Sequence, residues 1–247
     1  MDQRHKIKLS DRLMMSAGMV TRGCCVADVG CDHAHTSIWL VKQGIVSKAI
    51  AMDVRKGPLE KARENIRLYG LEGIIETRLS NGLEALKAGE ADSIVIAGMG
   101  GTLTVDILNN GLGKAAAAGE LILQPQSDIG MVRRFLRENG FSITQEKMCI
   151  EDGKFYNAMR VVPGSYCEEI LDKRKTDGNE LAELYDEFGE LLLKSKNPVL
   201  KELLIVLQRK NERNLASIKA SENERGIAKK RELERERECL KRALEFF

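Results

Sequence analysis

Two carboxylates four positions apart, with a single glycine between them, make up the first candidate site: Asp28-Val29-Gly30-Cys31-Asp32-His33. A dinucleotide-binding turn uses G-x-G-x-x-G, so that a diphosphate can rest on backbone N–H groups at a helix start. Here only Gly30 is glycine, and Asp32 and Ala34 hold the next alternate positions. Two carboxylates beside a diphosphate would repel it. They suit a ligand that carries positive charge and no phosphate.

S-adenosylmethionine is such a ligand, with one ammonium and one sulfonium. The charge pattern favours it over NAD or FAD. Three further groups lie downstream. Asp53 ends an apolar stretch 25 residues after Asp28, where an acid can accept both hydroxyls of a ribose. Asn81-Gly82 stands where an adenine edge would be read. Gly98-Met99-Gly100-Gly101 puts three glycines in four residues. A tight turn accounts for one or two of them, and three bring backbone close to something. In Gln124-Pro125-Gln126, Gln124 has a donor and an acceptor for a nucleobase edge; a capped loop is the plain alternative.

These residues need elements to hold them. Ile7 to Val20 has an apolar period near 3.6 and reads as a helix. Cys24 to Val29 is an apolar run broken only by Asp28, the pattern of a strand buried on both faces. A helix from Thr36 to Gln43 follows, then a strand from Lys48 to Val54 and a helix from Gly57 to Tyr69. Strand Ile74 to Leu79 leads through Ser80-Asn81-Gly82 into a short helix, Leu83 to Lys87. Strand Asp92 to Ala97, helix Thr102 to Asn109, strand Glu120 to Leu123 and helix Ile129 to Asn139 continue the rhythm. Two strands, 141–151 and 154–162, are joined by Asp152-Gly153, a strong hairpin turn. Five βα units and a closing hairpin predict an α/β, doubly wound, seven-stranded Rossmann-like sheet with the last strand antiparallel. That count resembles the class I S-adenosylmethionine-dependent methyltransferase sheet rather than a dinucleotide dehydrogenase.

Pro163-Gly164 marks a boundary, giving domains 1–163 and 164–247. The second is rich in Glu, Lys, Arg and Leu and carries 18 basic and 18 acidic residues. Leu181, Leu184, Phe188, Leu191 and Leu192 fit one helical stripe; Leu200, Leu203, Leu204, Leu207, Leu215 and Ile218 fit another. Leu233, Leu240 and Leu244 continue to the end, and Glu224-Arg225-Gly226 is a candidate interruption. The loose heptad spacing predicts a coiled-coil-like helical hairpin, acting as a packed cap or as a clamp for a large substrate. A net charge of +2 does not decide for or against nucleic acid, although Arg4, Lys6, Lys8 and Arg12, with His5, make the N-terminus basic. The six cysteines, at 24, 25, 31, 149, 167 and 239, have no zinc spacing and read as free thiols in a reducing cytosol. No apolar run spans a membrane and no secretory signal is present, so a cytoplasmic location without a membrane partner is expected.

Leu9-Ser10-Asp11-Arg12-Leu13, Ala27-Asp28-Val29-Gly30-Cys31-Asp32-His33-Ala34, Ala49-Ile50-Ala51-Met52-Asp53-Val54 with Gly57-Pro58, Ile96-Ala97-Gly98-Met99-Gly100-Gly101 and Leu121-Ile122-Leu123-Gln124-Pro125 together resemble the bacterial tRNA (adenine(22)-N(1))-methyltransferases. The helical tail matches as well. The resemblance implies methyl transfer from S-adenosylmethionine to N1 of the adenine at tRNA position 22, by a monomer or weak homo-oligomer. It places Asp28, Gly30, Cys31, His33, Asp53, Val54, Asn81, Gly82, Ala97 and Gly98 at the cofactor. It places Asp32, Arg12, Gly98, Met99, Gln124 and Pro125 at the reaction. Asn81 stands where the family often has aspartate, so no carboxylate is assigned to the adenine there.

N1 of neutral adenine has a free lone pair, so the chemistry needs in-line placement within about 3–3.5 Å more than it needs acid–base help. The product ring is cationic, and a carboxylate would stabilise the developing charge; Asp32 is the candidate. Arg12 would bind a phosphate or orient Asp32, and His33 would stack or hydrogen-bond near the cofactor. Paired N1 is unreachable, so the base must be unpaired or flipped out. Lys194, Lys196, Arg209, Lys210 and Arg213 would then grip phosphates. The alternatives are a methyltransferase for another RNA or a small molecule, which would not require the tail, and a non-catalytic RNA-binding or scaffold protein, against which the intact cofactor turn argues.

Overall fold

The computed structural model describes residues 7–164, 180–217 and 224–247. Arg4, His5, Lys6, Cys167 and Ile218 lie outside the described residues. The chain divides into two compact units, Met1–Asp177 and Gly178–Phe247. That division falls in the stretch 165–179, outside the described residues, beyond the sequence-based boundary at Pro163-Gly164.

The first unit runs α1 (Asp11–Ala17), β1 (Cys25–Val29), α2 (His35–Lys42), β2 (Lys48–Asp53), α3 (Lys56–Leu68), β3 (Ile75–Leu79), β4 (Ser93–Met99), α4 (Gly101–Asn110), α5 (Leu112–Ala117), β5 (Glu120–Pro125), α6 (Ile129–Glu138), β6 (Phe141–Glu151) and β7 (Lys154–Pro163). The strands form one seven-stranded sheet in the order β3-β2-β1-β4-β5-β7-β6. β1 to β5 are parallel, and β7 enters antiparallel to β5. This is the doubly wound seven-stranded methyltransferase sheet expected from the sequence.

The central strands read as continuous apolar runs because both their faces are covered. Along β4, Ile94 and Ile96 enter one core and Val95 the other; along β5, Leu121 and Leu123 separate from Ile122 in the same way. Ile38, Leu59 and Ala62 of α2 and α3 close the first face. Leu108, Val132 and Leu136 of α4 and α6 close the second. The chain winds outward through β1, β2 and β3, then crosses back to place β4 on the other side of β1. A crevice opens at that switch point, at the carboxyl ends of β1 and β4.

Two elements differ from expectation. Residues 83–87 form a turn followed by irregular chain, not a helix. Two of their carbonyls are engaged from outside, since the Lys114 ammonium donates to the Leu83 and Glu84 oxygens at 2.8 and 2.7 Å. The Ala-rich α5 that supplies Lys114 carries too little apolar periodicity to show in sequence.

The second unit contains α7 (Glu180–Phe188), α8 (Glu190–Lys194), α9 (Pro198–Ser217) and α10 (Glu224–Leu244). Gly189, at φ +87°, separates the first two. The Asn197 side-chain oxygen accepts from the Val199 and Leu200 N–H groups at 3.0 and 3.1 Å. It caps α9 with Pro198 at the first helical position. α9 and α10 pack as an antiparallel hairpin, with Leu200, Leu204, Leu233 and Leu240 buried. Buried Asn211 donates to the Leu233 carbonyl at 3.0 Å and to Glu236 at 2.9 Å, which fixes their register. Glu224-Arg225-Gly226, the candidate interruption, are helical residues of α10.

The glycines at the end of β4 and the start of α4 have separate causes. β4 shifts register against β5 between Ala97 and Met99, and Gly98 sits in that bulge at φ +83°. A Cβ on Gly101 would lie 2.4 Å from the Ser127 carbonyl oxygen and 2.7 Å from that of Asp128. These are backbone atoms and cannot swing away. Gly101→Ala is therefore expected to destabilise the protein by about 1–3 kcal/mol, read as a lower denaturant midpoint with an unchanged slope.

Candidate functional site

A cavity of about 530 Å³ occupies the switch-point crevice. The turn after β1 forms its floor. Gly30 takes φ +71°, and its N–H and that of Cys31 both donate to the Met52 carbonyl of β2, at 2.8 and 2.9 Å. The Asp32 N–H donates to Asp53 Oδ2 at 3.3 Å. The three N–H groups that would cradle a phosphate in a dinucleotide fold are thus committed to β2. Together with the carboxylates of Asp28, Asp32 and Asp53 in the wall, this makes the site a poor host for a diphosphate and a good one for a cation.

S-adenosylmethionine fits this donor and acceptor set. Asp53 is buried, and its Oδ1 accepts the Arg55 N–H at 2.9 Å. Each of its oxygens keeps a second acceptor site, which matches a pair of ribose hydroxyls. The Gly30 Cα approaches the cavity closely, and a Cβ there would overlap the Met99 methyl at 2.1 Å. Val54, 60% exposed, and Ile107 supply apolar surface for a base. Asn81 lines the same wall, its amide donating to Glu84 at 2.9 Å, and Gly82 beside it is left-handed at φ +56°.

Asp28 is buried beneath this floor. Its Oδ2 accepts the Ser37 hydroxyl of α2 at 2.7 Å. Burial drives its pKa up to about 6; the Ser37 hydrogen bonds oppose this rise, and the Asp53 charge adds to it. Burial likewise pushes the Cys31 thiol up, with Asp28 and Asp53 adding to the rise, which disfavours the thiolate. Asp32 is different. It sits at φ +49°, its side chain is 69% exposed, and its Oδ1 lies 3.6 Å from His33 Nε2. His33 stands edge-on to His35 at 5.7 Å between centroids. The His35 imidazole is held below its ordinary pKa, mainly by burial and then by His33.

Of the residues expected at the site, Arg12, Asp28, Gly30, Cys31, Asp32, His33, Asp53, Val54, Asn81, Gly82, Ala97, Gly98 and Met99 all border the cavity. Gln124 and Pro125 do not. Both lie buried in β5, and the reading of Gln124 as a nucleobase contact is corrected here. Its Oε1 accepts from the Gly98 N–H at 3.1 Å and from Arg12 Nη1 at 3.3 Å. Both neighbours are donors, so the oxygen must face them, which leaves Nε2 buried without a partner. Gln124 thus positions Gly98 and Arg12 from behind the wall. The expectation that Arg12 orients Asp32 is corrected too. The carboxylate beside Arg12 is Glu151, with Nε 3.5 Å from Oε1, and Tyr156 lies under the guanidinium at 5.6 Å. Sequence reading missed Ser80, Thr36, His35 and Leu103 in the wall. Ser80 was detectable as the residue that follows β3, where the parallel strands point their carboxyl ends at the ligand. The described residues contain no group of three or more His, Cys, Asp or Glu side chains fit to hold a metal, and no helix long and apolar enough to cross a membrane.

A family model described as a methyltransferase domain matches residues 9–159. The tRNA (adenine(22)-N(1))-methyltransferase of Bacillus subtilis is 37% identical over 155 residues, covering 63% of this chain and 65% of that protein. The chain therefore spans just under two thirds of that relative's length in this alignment. The crystal structure of the B. subtilis m1A22 tRNA methyltransferase TrmK superposes with a TM-score of 0.84 at 32% identity, covering 97% of this chain and all of that one. A Streptococcus pneumoniae protein solved in complex with S-adenosyl-L-methionine superposes with a TM-score of 0.81 at 33% identity, covering 96% of this chain and all of that one.

The raised Asp28 pKa fixes the sign of a pH effect. Its carboxyl holds a proton more tightly when folded than the ordinary value of 3.8. Its contribution is fully favourable below about pH 3.8 and is lost as pH rises through about 6. The stability of the natural chain minus that of Asp28→Asn is expected to fall by on the order of 3 kcal/mol between pH 4 and pH 7, measured by denaturant unfolding at a series of pH values.

Proposed function

The chain belongs to the class I S-adenosylmethionine-dependent methyltransferases, in the group of the TrmK-like tRNA (adenine-N1)-methyltransferases, and on that premise we propose that it methylates N1 of the adenine at position 22 of tRNA. Its cofactor is S-adenosyl-L-methionine, which supplies an electrophilic methyl group. The observation that carries the reading is the acidic floor with its N–H groups committed to β2, which selects a cationic, phosphate-free methyl donor.

Each residue then has a part. Asp53 takes the ribose hydroxyls, Val54 and Ile107 cover the adenine, and Asn81 and Gly82 bound its edge. Gly30 allows the donor to approach the floor, and Asp28 and Cys31 shape the turn beneath it. Gly98 and Met99 line the side that the target base enters, with Gln124 and Pro125 fixing that loop from behind. N1 of the target adenine becomes cationic, and Asp32 at the rim stabilises that charge. Arg12 holds an anionic oxygen of the nucleotide. In the second unit the exposed side chains of Arg209, Lys210 and Arg213 contact phosphates of the tRNA body. Lys194 is already paired with Glu190 at 2.5 Å and contributes less.

Methyl transfer to unmodified tRNA transcripts tests the reading. Label is expected in transcripts with adenine at position 22 and absent when guanine replaces it; incorporation indifferent to that base would refute it. For Asp32, alanine is a poor probe because φ +49° strains it, whereas asparagine tolerates that region. Asp32→Asn is expected to lower kcat by on the order of tenfold, since an exposed carboxylate acts through water. Cofactor affinity measured by calorimetry should change little. A collapse of that affinity would make Asp32 a cofactor ligand instead.

A further inference from the structure

The β6–β7 hairpin plays no part in the chemistry described so far, yet its tip reaches the cavity wall. Glu151 is the last residue of β6 and stands 139 positions from Arg12. The N-cap residue of α1, Ser10, makes no side-chain cap, and its hydroxyl is buried without a partner. The Arg12 N–H, in the first turn, donates instead to Glu151 Oε2 at 2.9 Å. The other oxygen of the same carboxylate lies 3.5 Å from Arg12 Nε. One side chain therefore caps the helix and holds the guanidinium that the helix carries. Tyr156 packs against the guanidinium face, and Gln124 accepts from Nη1. Nη2 has no hydrogen-bond partner among the described residues. Arg12 and Glu151 are both shielded, at 24% and 18% side-chain exposure, so water screens the pair only in part.

We propose that Glu151 is a positioning residue for methyl transfer: it locks Arg12 into the cavity wall so that the remaining guanidinium donors meet a phosphate oxygen of the incoming nucleotide. This rests on the RNA-methylating reading given above. An arginine fixed in advance loses little rotamer freedom when the phosphate arrives, whereas an untethered one must be ordered at that moment. Among the described residues the Glu151 carboxylate bonds to Arg12 and not to the turn after β1 or to Asp53, so cofactor binding should not depend on it.

The test is a double-mutant cycle on Arg12→Ala and Glu151→Ala, with Glu151→Gln as a third variant. The glutamine keeps an acceptor for the Arg12 N–H and preserves the cap if the alanine variant folds poorly. Glu151→Ala is expected to raise KM for tRNA roughly tenfold, with cofactor affinity unchanged. In the Arg12→Ala background the same change should have little further effect. Glu151→Gln should fall between. Equal losses in both backgrounds, or a loss that tracks only the melting temperature, would overturn the inference and leave Glu151 a helix cap. If the natural protein fails to methylate tRNA at all, the functional reading falls and takes this inference with it. Transfer with strictly additive effects overturns this inference alone.

Discussion

The carbonyl of Met52 accepts two hydrogen bonds from the turn after β1, from Gly30 and Cys31, and Asp53 next to it accepts a third from Asp32. These bonds tie the ligand-binding turn to β2. Gly30 is left-handed in this turn, and a side chain there would also meet Met99. The bonds also use up the donors on which a phosphate would otherwise rest. Much of the site follows from this: its acidity goes unchallenged by anionic ligands, and Asp53 is held by backbone N–H groups with an acceptor site still open on each oxygen. α2 then begins at His35, aimed at the cleft.

Buried charge near such a turn is costly. Asp28 is desolvated and pairs with a hydroxyl rather than with a cation, so its ionisation works against the fold at neutral pH. A cationic ligand above the floor would reverse that cost, because an opposite charge nearby favours the ionised form. Such a ligand would couple stability to cofactor binding through one carboxyl group. The exposed Asp32 carries no such penalty, and being free of the core it is the carboxylate able to respond to charge that appears on a substrate.

The wall opposite the floor is assembled from distant pieces of chain. Arg12 comes from α1 and Gly98 from the bulge near the end of β4; behind them stand Gln124 of β5 and Glu151 and Tyr156 of the closing hairpin. Gln124 uses one oxygen to hold two of these pieces. Glu151 uses its two oxygens on backbone and side chain of the same arginine. Insertion of β7 antiparallel to β5 brings the hairpin tip to α1, so the seventh strand helps build the site.

Much of this was legible in the residues themselves. The apolar runs of β1, β4 and β5 and the Asp152-Gly153 turn are local signals, set by burial on two faces and by left-handed backbone. The acidic, glycine-poor first turn identified the charge of the ligand, because charge is a property of residue type. Contacts that depend on register were not legible. Gly98 sits where β4 shifts against β5, and the Gln124 side chain faces Arg12 and Gly98 instead of the cavity. The stretch 83–87 looked helical by propensity, but Lys114 engages two of its carbonyls, one from 30 residues away. Glu151 looked like a strand end, and nothing in its neighbourhood in sequence pointed to Arg12. By itself the sequence determined the sheet, the turn and the sign of the site's charge, since these follow from periodicity and chemistry along the chain. Only the tertiary structure decided which side chains meet, because that is fixed by strand order and register across more than a hundred residues.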